Sequence, residues 1–146
     1  MKDIWNGIQI AIAALGGVVG WFLGEMDGII YALIAFAVVD YITGFIKAAV
    51  TGQLSSSVGA KGIAKKVALF LIVGIAHIAD RYMLGDNGAL RMAVIFFYLS
   101  NEGLSILENA GALGIPIPAK LTDMIAKLRD KPAEPGDPPA PEDREG

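Results

Sequence analysis

Residues 4–24 read IWNGIQIAIAALGGVVGWFLG, 21 consecutive positions without an ionisable side chain. As a helix rising 1.5 Å per residue this run covers roughly 31 Å, about one hydrocarbon core of a bilayer. A cleaved signal peptide is the competing reading, since Lys2 precedes an apolar run. The run is long for such a segment, and Trp21, Phe22 and Leu23 are poor neighbours for a small-residue cleavage site, so an uncleaved span fits better.

The rest of the chain has the same character. Of 146 residues 54% are hydrophobic and 18% charged, and the mean hydropathy is +0.54, a balance that rules out a conventional soluble enzyme core. The formal charge of −3 belongs to the end of the chain. Residues 132–146 hold five of the 15 acids and one of the 12 bases, which leaves ten acids and eleven bases before them. There is no basic excess of the kind a nucleic-acid partner requires. The absence of cysteine excludes disulfides and thiolate sites, and a single histidine, His77, builds no metal cluster, so no metal or cofactor is expected.

Further spans follow from the first. Gly28 to Ile46 is apolar apart from Asp40. Lys47 to Lys66 carries Lys47, Lys61, Lys65 and Lys66 with no acid, which predicts a basic loop on the cytoplasmic side. Val67 to Ala79 is short, roughly 20 Å as a helix, unless it runs on to Leu84 or Lys66 snorkels. After the turn signal Gly85, Asp86, Asn87, Gly88, residues 89–110 are apolar but interrupted by Arg91, Glu102 and Glu108, and either span or lie at the interface. The expected fold is an all-α integral membrane protein with three to four transmembrane helices. Four are favoured, at about 4–24, 28–46, 66–84 and 89–110 within a membrane domain 1–112. They put both termini and the second basic group, Lys120, Lys127, Arg129 and Lys131, in the cytoplasm, where three would put that group outside.

Gly114, Pro116 and Pro118 then stop the helix. In the segment 113–131, Leu121, Met124, Ile125 and Leu128 recur at helical spacing, so it is either a short amphipathic helix on the membrane surface or a frayed polar extension. The proline-rich acidic tail 132–146 is expected to be disordered.

No nucleophile motif is present, and VGAKG at 58–62 lacks the glycine spacing of a phosphate-binding loop. What remains is helix association and polarity at membrane depth. Gly16, Gly20 and Gly24 recur every four residues, with Gly7 and Ala11 spaced likewise, and this predicts close helix packing, within or between chains. A charge such as Asp40 costs on the order of 2.5–3.5 kcal/mol at a helix centre, so it must face protein or water, or be protonated. Glu102 falls at a similar depth, and the pair serve either as satisfied structural residues or as a gate. Arg91, Tyr98, Glu102, Ser105 and Asn109 share one helix face, which either lines an aqueous lumen made by several copies or rests at the interface.

Three stretches carry a resemblance: DYITGFIKA at 40–48, GQLSSSVGAKGIAKK at 52–66 and above all YLSNEGLSILENAGALGIPIPAKL at 98–121. In this order they resemble the toxin secretion/phage lysis holin family, which groups phage holins of Gram-positive hosts with clostridial toxin-secretion holins. The resemblance implies a small non-enzymatic protein of the bacterial cytoplasmic membrane. Such a protein forms homo-oligomers and opens timed lesions that release an endolysin for host-cell lysis. The implied partners are the lipid bilayer, further copies of the chain and the endolysin, without required direct contact, and there is room for an antiholin. The family carries no catalytic residues to transfer, and the acidic tail departs from the lysine-rich tail often found in holins. Two rivals stand beside it: a small-solute or proton-coupled transporter using Asp40 and Glu102, and a non-pore scaffold subunit. No inverted repeat or broken-helix pair supports the transporter.

Overall fold

The structure is a computed structural model that describes residues 1–129. Lys131 and the tail 132–146 lie outside the described residues. Among those described there are only helices: α1 Lys2–Leu23, α2 Gly28–Val50, α3 Ser56–Met83, α4 Ala89–Ala112, α5 Ala119–Ala126 and a closing 3-10 turn Lys127–Arg129. The first four are long and apolar enough to cross a membrane.

Local chemistry sets the boundaries. Asp27 accepts the Ile30 amide at 3.0 Å and starts α2, and Ser55 accepts the Val58 amide at 3.2 Å and starts α3. Gly24 ends α1 with φ +85, and Gly88 precedes α4 with φ +69, a left-handed conformation that glycine adopts without steric penalty.

The start of α3 corrects the sequence reading. Lys61, Lys65 and Lys66 lie on this helix and not in a loop, because the Ser55 cap is followed by no proline and Gly59 and Gly62 pack against the Tyr41 side chain of α2. Charge marks where the hydrocarbon ends, and the helix runs on past it: 28 residues reach about 42 Å, longer than a bilayer core.

α2 and α4 run side by side in the same direction, joined by Asp27 and Arg91 near one end and by Thr43 and Asn109 near the other. α3 returns in the opposite direction, packed mainly against α4. Leu23, Ile30, Leu33, Leu69, Val73, Ile95 and Leu99 form the core. On α3 the inward positions Lys66, Leu69, Val73, Ala76 and Asp80 repeat every three or four residues, the period of one helix face.

α1 is held only at its C-terminal end. The Phe22 ring occupies the space over Gly74, where an added Cβ would come within 2.0 Å of it, while residues 1–19 are all exposed.

α5 differs from a helix lying free on the membrane surface. It folds back along α4, with Ile125 against Gly103, Ser100 Oγ donating to the Ala126 carbonyl at 3.4 Å and Leu128 against the core. Its apolar stripe is short, and the side-chain-free surface at Gly103 accepts part of it, leaving Leu121 and Met124 outward.

Candidate functional site at membrane depth

Three helices each contribute one charge to a single ionic knot. The Lys66 ammonium on α3 donates to Asp40 Oδ2 on α2 and to Glu102 Oε2 on α4. Asn109 donates to the other Asp40 oxygen at 3.3 Å and to Thr43 Oγ1 at 3.2 Å, while the Thr43 hydroxyl donates to the Asp40 carbonyl at 3.1 Å. The three charged side chains retain only 12–18% of their accessible surface.

Asp40 is ten residues before Val50, Lys66 ten after Ser56 and Glu102 ten before Ala112, so all three sit about 15 Å in from the helix ends on the side of the α2–α3 loop. A lone charge at that depth is costly in hydrocarbon, and here each finds an opposite charge within its own chain.

A second polar cluster lies at the other end. The Arg91 guanidinium donates to the Leu23 carbonyl at 2.8 Å, the Glu25 carbonyl at 2.7 Å and Asp27 Oδ2 at 3.0 Å. Buried Asp80 accepts the amides of Leu90 at 3.1 Å and Arg91 at 2.7 Å, placing a carboxylate at the positive end of α4. Partial burial works to raise the Asp27 carboxyl, but the Arg91 and Ile30 hydrogen bonds and the Arg91 charge outweigh it and hold Asp27 below its ordinary value. This lock ties the α1–α2 turn to the start of α4.

The residues singled out in the sequence divide accordingly. Asp40, Glu102 and Asn109 meet in the knot, and Arg91 forms the separate lock. Tyr98 is half-buried against the core, edge-on to Phe97, and Ser105 is half-buried on α4. Within one chain the α4 stripe therefore faces α2 and α3. Gly16 has open space around it and so does Gly20, while Gly24 has left the helix and packs on His77 and Arg91. Lys47 is half-buried near the end of α2, and Lys61 and Lys65 are exposed on α3. Among the described residues no group of three or more His, Cys, Asp or Glu side chains is placed to hold a metal.

Sequence reasoning missed Lys66 as the counter-charge and Asp27 and Asp80 as lock residues. The signal for Lys66 was present: it is the first member of the series 66, 69, 73, 76, 80.

Four long apolar helices joined by short connections define a multi-pass membrane protein. The model of the bacteriophage holin family matches residues 17–130, and the chain belongs to that family. It is 45% identical over 118 residues to an uncharacterised protein of Listeria innocua, covering 81% of this chain and 84% of that one. It is 39% identical over 133 residues to an uncharacterised 14.9 kDa protein of Clostridium perfringens, covering 90% and 99%. A protein of Bacillus phage phi105 named a probable holin is 37% identical over 121 residues, covering 83% of each chain. No solved structure matches. The family and the phage relative support a holin role, that of a membrane protein acting without catalysis.

Proposed function

We propose that the chain accumulates in the cytoplasmic membrane of a bacterial host with both termini in the cytoplasm, oligomerises, and at a set time opens lesions through which an endolysin reaches the cell wall. The observation that carries the mechanism is the knot of Asp40, Lys66 and Glu102. Inside one chain the Lys66 ammonium holds both carboxyls, so each charge has a partner and the protein inserts and persists without leaking. Pulling α2, α3 and α4 apart in lipid would strand each charge, at on the order of 2.5–3.5 kcal/mol apiece. Separation becomes favourable only where water replaces the lost partners. The knot therefore resists small openings and tolerates a wide, wet one, in which the α4 stripe and the knot residues line water. Self-association supplies that alternative when enough copies collect.

Release of a cytoplasmic protein-sized marker tests this reading. Cells expressing the chain alone are expected to release an enzyme of endolysin size after a delay. Release of ions and metabolites with the enzyme retained would favour a transporter, and no release of either would favour a scaffold subunit.

A further inference from the structure

α1 is a spanning helix that its own chain barely touches. Along it Asn6, Gln9, Ala13, Gly16 and Gly20 recur at intervals of 3, 4, 3 and 4, one continuous seam of small and amide side chains. Asn6 and Gln9 are exposed, and neither amide has a hydrogen-bond partner among the described residues. Burying an amide in hydrocarbon without a partner is unfavourable.

The bundle carries a complementary feature. α2 and α3 diverge to leave an apolar groove of about 480 Å³, walled by Val38 and Tyr41 on one side and Ile63 and Val67 on the other. Val19 and Phe22 of the same chain reach only one end of it, because the Arg91 lock fixes where α1 leaves the bundle. The Tyr41 hydroxyl has no hydrogen-bond partner among the described residues.

We propose that α1 of one copy seats in the α2–α3 groove of the next, an inference that rests on the oligomerising part of the function above. The depths agree when the helix ends are level. Gln9 lies seven residues from the start of α1 and Tyr41 nine from the end of α2, within the reach of an amide and a phenol. Ala13 lies level with Val38 and Val67, so a small residue enters between two bulky rows. A lipid chain would fill the groove but leave the amides and the Tyr41 hydroxyl unanswered. Each copy offers one helix and one groove, so the contact is heterologous and adds copies without a fixed end point.

The absence of native cysteine makes the contact directly testable. Chains carrying Ala13→Cys and differently sized chains carrying Val38→Cys are co-expressed in the membrane and oxidised. The expected product is a disulfide between the two kinds of chain, and the double variant gives a ladder of dimers, trimers and longer products. Gly16→Leu, which meets open space in the single chain, is expected to lower that yield severalfold while leaving monomer abundance unchanged.

Disulfides only between Ala13→Cys chains, an internal bond only in the double variant, or no bond at all would each overturn the proposal. If the first pair fails to accumulate, Gln9→Cys with Ile42→Cys reads the same contact. Amine cross-linking of the native chain and endolysin-dependent lysis, run in parallel, separate the two readings. Oligomers and lysis without the expected disulfide refute this contact and leave the holin function standing; monomers and no lysis refute both.

Discussion

Lys66 is the residue on which the bundle turns, because its one ammonium bridges carboxyls from two other helices. Lys66→Met leaves Asp40 and Glu102 facing each other without a cation and is expected to destabilise the bundle by about 3 kcal/mol or more, measured as a lower Tm in detergent. The combined variant Asp40→Asn, Lys66→Met, Glu102→Gln removes all three charges together and should recover most of that loss. If Lys66→Met alone left Tm unchanged, the knot would not be holding the helices.

At the opposite end, Asp27→Asn keeps a capping side chain but loses the charge paired with Arg91. The folded Asp27 carboxyl lies below its ordinary value of 3.8, so its stabilising contribution is complete above that value and is lost as pH falls through the lower folded value. The Tm gap between wild type and Asp27→Asn should therefore hold steady from pH 7 to about 5 and close below about 4. A gap that closed near pH 6 would implicate another group. Asp40 and Glu102 were legible as a pair because helix rise places them at one depth. The Arg91 lock was not, since two of its partners are the backbone carbonyls of Leu23 and Glu25, which no residue pattern records.

Among the elements, α1 and α3 show how far hydropathy reaches. The run at 4–24 located α1, whereas the start of α3 was misplaced because lysines were read as the end of a helix instead of the end of the hydrocarbon. Helix continuity depends on the Ser55 cap, the absence of proline and the packing of Gly59 and Gly62 on Tyr41, and membrane depth depends on polarity. The two coincide for α1 and separate by ten residues in α3. The fold-back of α5 onto Gly103 was hidden for a different reason: the acceptor is a missing side chain on another helix. The joint between α1 and α3 is similarly specific. Gly74→Val would drive a side chain into the Phe22 ring and is expected to cost about 1–3 kcal/mol as an overpacking strain. Its signature would be faster proteolysis at the 24–27 turn, and cleavage at the wild-type rate would show that Phe22 is not what anchors α1.

The whole molecule combines a self-satisfied three-helix unit, α2 to α4, with a helix, α1, that has its long apolar surface and two amides turned outward. That division suits a protein that must be harmless as single copies and consequential in numbers. Stability within the chain comes from the knot, the lock and the core. On the proposed function the drive to associate would come from α1, whose seam meets nothing among the described residues of its own chain. On the proposed function a lesion would require two events, assembly through α1 and opening of the knot, and the second is unfavourable until water enters, so opening is expected to be abrupt.

The most direct test of this account records membrane potential and turbidity during induced expression in a bacterium, with and without a cytoplasmic endolysin that lacks its own export signal. Wild type and the charge-free knot variant are followed side by side. The account predicts a delay and then a sudden collapse of potential for the wild type, with turbidity falling only when the endolysin is present, and a clearly altered trigger time for the variant at equal membrane abundance. Undisturbed growth with wild-type protein confirmed in the membrane would contradict the holin function, and identical trigger times for the two proteins would contradict the knot as its latch.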